Sequence, residues 1–246
     1  MKLEVILDTK ELPLHYHFLF ASLIKKAVGS VSNEKVESLY EFEGQHNKKS
    51  KPFTFAVYME RFRKTGETFA IDGHVKWILS SSDDTFLLYV YNGLLNDRTF
   101  VYKDYTVHVR SVSVKETKKI RSGKALFQTL SPIAIKSKEG VFLSIEDWSY
   151  PEEFQYICNL TIENAIGRSL HQPLKFSPVN MKQIMVQLKH EEFRRLNEKS
   201  ILYVKSFKGL FELEGHPEDL TLLSQLGTSF RRSQGFGCID LIKETI

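Results

Sequence analysis

Only two of the 246 residues are cysteine, Cys158 and Cys238, and neither a CxxC pair nor a clustered histidine accompanies them. That argues against a disulfide framework and a structural zinc site, and the two thiols read as buried apolar filler. Long hydrophobic runs are equally scarce: stretches such as residues 18–24 are far too short to span a bilayer, and the first residues carry no signal-peptide pattern. A cytoplasmic protein with no membrane contact is the expectation. No HExxH, EF-hand loop or magnesium-type acidic pair occurs, so neither a metal nor a cofactor is expected. Charge of one sign does not dominate, since 34 Lys and Arg face 30 Asp and Glu for a net charge of +4.

What is present is an ordinary globular composition, 42% hydrophobic and 26% charged, in a chain long enough for one larger domain or two small ones. The positive charge is unevenly spread. Lys48, Lys49, Lys51, Arg61, Arg63 and Lys64 face only Glu60 between positions 46 and 64, while Lys115, Lys118, Lys119, Arg121 and Lys124 face only Glu116. Each run alone reads as a solvated loop; two together suggest a polyanion track and point to nucleic acid.

Periodicity gives an element order. Residues 2–7 alternate as a strand, and Pro13 opens a helix with apolar positions at Leu14, Phe18, Ala21, Ile24 and Val28. Residues 53–62 and 74–79 read as a hairpin, Asp83 caps a helix running to Leu95, and residues 101–114 return to strand. The second half repeats the pattern: a strand at 127–135, a helix at 151–170, strands at 181–189 and 202–213, a helix at 217–226 and a last strand at 238–242. Twice β-α-β-β-α-β predicts an α+β fold of two tandem ferredoxin-like, RRM-like domains, 1–122 and 123–246, joined near the charged segment 115–124.

Before that last strand stands GTSFRRSQGFG, residues 227–237. Glycines let a backbone approach a phosphate, and arginine supplies forked donors for its oxygens. Gly227 also suits a plain helix C-cap, and at that helix end the dipole repels anions, so any anion binding must come from amides and arginines. The spacing matches neither GxGxxG nor the P-loop.

Without a metal, RNA still offers a cleavage chemistry, because its own 2′-hydroxyl can attack the adjacent phosphate. The protein then supplies a base, an acid and a cation. Of eight histidines, His46 sits in a polar, lysine-rich loop that should favour its neutral form; an ordinary surface histidine is the alternative. Tyr40 could relay a proton or simply pack at a helix end, and Lys51 could stabilise the transition state. His15 and His17, at a helix start, read as structural groups.

Residues 12–27 (LPLHYHFLFASLIKKA), 51–58 (KPFTFAVY), 127–136 (FQTLSPIAIK) and 227–242 (GTSFRRSQGFGCIDLI) together resemble the CRISPR-associated Cas-six endoribonucleases of the RAMP superfamily, over nearly the whole chain. The resemblance implies two ferredoxin-like domains and metal-independent cleavage of CRISPR repeat RNA in the precursor transcript. The implied products are crRNAs with a 2′,3′-cyclic phosphate and a 5′-hydroxyl. It implies repeat RNA and crRNA as ligands, with other Cas proteins of an interference complex and a second copy of the chain as partners. In many members a catalytic histidine lies between the first helix and the PFTF-like strand, with a tyrosine and a lysine nearby. Here Lys51 matches that lysine, Tyr40 stands at one common histidine position, and His46 is a shifted replacement in the same loop. The tyrosine often found on the first helix is replaced by Lys25 or Lys26. His46, Tyr40 and Lys51 are thus the expected catalytic set. Lys48, Lys49, Gly227, Arg231, Arg232, Gly235 and Gly237 are the expected RNA-binding set. The other reading of the same resemblance is a non-catalytic RAMP subunit that binds RNA.

Overall fold

The computed structural model describes residues 1–42, 45–46, 50–189 and 201–245, with backbone alone at 41, 42, 45 and 46. Lys48 and Lys49 lie outside the described residues, and so does the His46 side chain.

The first half forms β1 (Lys2–Asp8), β2 (Glu11–Pro13), α1 (His17–Gly29), α2 (Asn33–Tyr40), β3 (Glu41–Phe42), β4 (Gln45–His46), β5 (Phe53–Met59), β6 (Phe62–Thr65), β7 (Thr68–Ile71), β8 (Val75–Ser81), α3 (Asp84–Asn96), β9 (Thr99–Tyr102) and β10 (Tyr105–Lys115). The second half forms β11 (Lys124–Thr129), α4 (Tyr150–Ile166), β12 (Lys175–Lys189), β13 (Ile201–Glu214), α5 (Pro217–Leu226) and β14 (Ile239–Thr245). The first sheet runs β5-β8-β1-β10-β9 and the second β12-β13-β11-β14, and every ladder is antiparallel. Without the added edge strand β9, each sheet has the ferredoxin-like order, in which the first strand lies between the third and the fourth.

Alternation explains which faces are buried. In β1, Leu3, Val5 and Leu7 point to α1 and α3 and are fully buried, along with Trp77 and Leu79 of β8. Phe127, Phe154, Phe211 and Leu223 play the same part in a second core beneath β11 and β13. Each such side chain contributes roughly 1.5–3 kcal/mol of transfer free energy. Asp83 caps α3 as its position suggests, its Oδ1 accepting from the Phe86 amide at 2.9 Å. Both cysteines are buried and unpaired.

Several expected elements differ. Pro13 does not open α1; it ends the short edge strand β2, opposite Thr68, where a missing N–H costs nothing, and the helix starts at His17. The interval between β5 and β8 is not one turn but a second hairpin, β6–β7, which pairs with β2 in its own three-stranded sheet. The expected strand 101–114 is broken at Lys103, whose positive φ of 53° makes the β9–β10 turn. Helix α4 stops at Ile166 because Gly167 takes the left-handed conformation that ends helices. The expected strand 127–135 stops at Thr129, beyond which Ile133 makes only an isolated bridge to Phe207.

The two halves are stitched together by polar contacts. Lys2 Nζ donates to the Ile239 carbonyl and to Asp240, Thr54 Oγ1 donates to the Phe236 carbonyl, and His15 bonds the Gln187 carbonyl. The segment between the halves is anchored too, because Ile120 is buried in the second core and the Arg121 and Ser122 amides both donate to Glu244 Oε2.

Candidate nucleic-acid interface

The glycine-rich segment begins where α5 ends. The Gly227 amide donates to the Leu223 carbonyl at 2.8 Å with φ 83°, the C-cap that its position suggests. The segment then folds back on itself, with the Thr228 amide donating to the Gly237 carbonyl and the Gly237 amide to the Pro132 carbonyl. Gly227, Gly235 and Gly237 are all buried. A Cβ on Gly235 would stand 2.6 Å from the Phe55 ring, and one on Gly227 would stand 2.6 Å from the Gly237 carbonyl oxygen. Close backbone approach is indeed what these glycines permit, but the surface approached is protein, chiefly β5.

The two arginines divide. Arg232 is 4% exposed. Its guanidinium donates from Nη1 to the Leu226 carbonyl at 2.6 Å and from Nη2 to Ser50 Oγ at 2.5 Å, tying the last turn of α5 to the residue before Lys51. Burial lowers its pKa to about 10, which leaves it charged at neutral pH, and a cation on the carbonyls of α5 suits the negative helix end. Arg232, expected among the RNA contacts, has its guanidinium engaged inside the protein at these two acceptors, where it holds the loop. Arg231 is half-buried, adopts a left-handed φ of 64°, donates to Gln234 Oε1 at 2.8 Å and stacks over Phe230 with 5.4 Å to the ring centroid. Lys136 sits over the same ring at 5.5 Å.

The loop forms a wall of a cleft of about 700 Å³, whose other walls are Ser50, Lys51 and one face of α4, including Leu160, Thr161 and Asn164. Lys51 thus shares a cleft with Arg231. Its Nζ also lies 5.2 Å from the centroid of the Tyr40 ring, which Lys25 approaches at 5.3 Å. Two ammonium groups against one phenol ring are a cation–π arrangement. Burial pushes the Tyr40 phenol up and the Lys51 ammonium down from their ordinary values, so the phenol stays protonated and keeps its proton to donate. The Tyr40 hydroxyl is buried and meets no hydrogen-bond partner among the described residues. In the β3–β4 hairpin the His46 backbone pairs with Glu41, the residue next to Tyr40. Lys25 was readable only as a departure from a pattern, although its helical spacing from the buried Leu23 and Ile24 marks an outward-facing position.

His17 supports the loop from the other side. It is 4% exposed, its Nδ1–H donates to the Gln234 carbonyl at 2.7 Å, and its ring stacks between Tyr16 and Phe236. With Tyr16, Lys64, Gln187 and Lys208 it lines a second cleft of about 400 Å³, so the loop is walled by one cleft on each face. Burial, opposed by the Gln234 hydrogen bond and aided by nearby His15, lowers its pKa from 6.5 to about 4. A histidine lowered on folding adds stability that is fully present above pH 6.5 and is lost as the pH falls towards 4. The loss should reach about 3 kcal/mol. Denaturant unfolding at about pH 7.5 and about pH 4.5 should therefore show a markedly smaller pH-dependent loss in His17→Asn than in the unchanged protein; equal losses would contradict the assignment.

The second basic run does not make a uniform positive track. Lys124 pairs with Glu212 and Glu214, Lys115 lies 3.9 Å from Glu4, and the small cleft lined by Lys2, Lys115 and Lys118 also holds Glu4, Glu116 and Asp240. In the first run Arg63 pairs with Asp72.

No curated protein sequence matches the chain. Among solved structures, that of a Cas6-related gene from Pyrococcus furiosus is similar, with a TM-score of 0.81, 18% identity, and 100% of this chain and 99% of that chain covered. An RAMP protein binding different RNA substrates matches with a TM-score of 0.79 and 17% identity, covering 99% of this chain and 100% of its own. A Cas6 product complex matches at 0.68 and 15% identity, covering 98% of this chain and 99% of its own. At such identities these likenesses establish the fold alone, tandem ferredoxin-like units. The sequence model for CRISPR associated protein Cas6, C-terminal, matches residues 114–241, more than half of the chain, and so the chain belongs to the Cas6 family.

Proposed function

We propose that this Cas6-family chain is a metal-independent endoribonuclease that cuts CRISPR repeat RNA in the precursor transcript. The observation that carries the reading is Lys51, which lines the cleft walled by the Arg231 loop and lies, with Lys25, against the ring of Tyr40. In the reaction, the 2′-hydroxyl loses its proton to a base and its oxygen attacks the adjacent phosphorus. The bond from phosphorus to the 5′-oxygen then breaks, and an acid protonates the departing oxygen. A 2′,3′-cyclic phosphate and a 5′-hydroxyl result. His46 is the group that exchanges these protons, Lys51 stabilises the charge gathering on the phosphorane, and Tyr40 donates a hydrogen bond. Arg231, Lys48 and Lys49 hold the RNA backbone, and Gly227, Gly235 and Gly237 with buried Arg232 keep the loop in place. The chain divides at residues 122 and 123 into two ferredoxin-like units, the first of which carries the chemistry.

His46→Ala should lower the single-turnover cleavage rate by about 10²–10⁴-fold while leaving RNA affinity within a few-fold. An undiminished rate would remove His46 from the mechanism. A second reading, an RNA-binding RAMP subunit without cleavage, would show itself as specific binding that leaves the repeat RNA intact.

A further inference from the structure

The segment after α4 brings a second chemical cluster together, and it shares no lining residue with the arginine-bearing cleft. His171 lies against the start of α5, where His216 precedes Pro217 and Asp219 occupies the first turn. The two imidazoles are 4.2 Å apart between centroids at an angle of 37°. Asp219 is fully buried, and its carboxylate accepts from the His171 amide at 2.7 Å, from His171 Nδ1 at 2.9 Å and from Arg168 Nη1 at 2.7 Å. Glu218 adds a carboxylate oxygen 3.9 Å from His171 Nε2. His216 Nδ1 is buried and meets no hydrogen-bond partner among the described residues.

We propose that His171, His216 and Asp219 form a site for a zinc-class divalent cation, separate from the RNA chemistry. Donor atoms of all three side chains lie within 4.8 Å of one another, a spread that small side-chain rotations bring to the roughly 3.3 Å separations of a tetrahedral site with bonds of about 2.0–2.1 Å. Two imidazoles and one carboxylate form a donor set that zinc prefers over magnesium or calcium. A buried ring nitrogen without a partner is costly, and a cation there would satisfy it. Arg168 is the standing counter-cation: it neutralises Asp219 when no metal is present and must yield or share that carboxylate when one binds. The three residues follow no metal-motif spacing, since 45 positions separate His171 from His216.

Titration of the metal-free chain with Zn²⁺ alone, read by calorimetry and by native mass spectrometry, tests this directly. One zinc ion per chain should bind, with affinity reduced at least about tenfold in His216→Ala and in His171→Ala. Arg168→Gln should bind more tightly than the unchanged protein, because the competing cation is gone. Far-UV circular dichroism and RNA affinity check that the variants fold. Saturable binding that persists in the double histidine variant would overturn the proposal. So would its absence from the unchanged protein, or a weaker Arg168→Gln.

Discussion

Lys51→Ala is expected to lower single-turnover cleavage of repeat RNA by about 10²–10³-fold, the usual loss when one preorganised donor to a developing oxyanion is removed. The expectation follows from where the ammonium is held. Lys51 stands at the entrance to β5, half-buried, with Tyr40 at 5.2 Å and the Arg231 loop across the same cleft. Partial burial strengthens its field on a phosphate more than an exposed lysine could manage, and the lowered pKa reports that burial. Because the charge is asked to act in the transition state, affinity for uncleaved RNA should fall only by the few-fold that one phosphate contact supplies, with a correspondingly small change in salt slope. A rate loss no larger than the affinity loss would make Lys51 a binding residue only.

The second large effect concerns the loop itself. Gly237→Ala should destabilise the protein by at least about 3 kcal/mol and carry RNA affinity down with it. At φ 68° a side chain is strained, and the added Cβ would stand 2.3 Å from Ser229 Cβ and 2.9 Å from the Thr228 carbonyl carbon and the Ser229 nitrogen. Two of those atoms belong to backbone and cannot rotate away. The same residue also makes hydrogen bonds to Thr228 and Pro132, so the clash opens the turn that holds Arg231 and Arg232. Gly66→Ala supplies the control: its φ of 59° is similar, yet nothing lies within 4 Å of its Cβ, and only the conformational cost of about 1 kcal/mol should appear. Equal losses in the two variants, measured by urea unfolding, would show that close packing is not what Gly237 provides.

Local patterns were enough to read β1, the Asp83-capped α3 and α5 with its Gly227 cap, because each depends on neighbours in sequence. The β6–β7 hairpin escaped notice since its residues are exposed or only partly buried, apart from Ile71, and show little alternation for a period to reveal. Pro13 misled for a related reason. Proline suits a helix start and an edge strand alike, and only the pairing with β7 decides between them. Of the candidate site, the charges of Lys51 and Arg231 were legible in their own segments, but not that the two share a cleft, which the fold assembles from opposite ends of the chain. The burial of Arg232 was not legible either, because its partners are the Leu226 carbonyl and Ser50, the latter 182 positions away. Arginines are mostly exposed, so the expectation follows the common case until a non-local acceptor is known. The His171, His216 and Asp219 cluster was hidden in the same way, assembled by the packing of a loop on a helix start.

The central claim is cleavage without a metal, and the products formed in excess EDTA test it most directly. With its cognate repeat RNA the protein should cut at one position, leaving a 2′,3′-cyclic phosphate on the upstream fragment and a 5′-hydroxyl on the downstream one, at a rate unchanged by the chelator. Tight, specific binding that leaves the RNA intact, or cleavage that appears only when a divalent ion is restored, would contradict it.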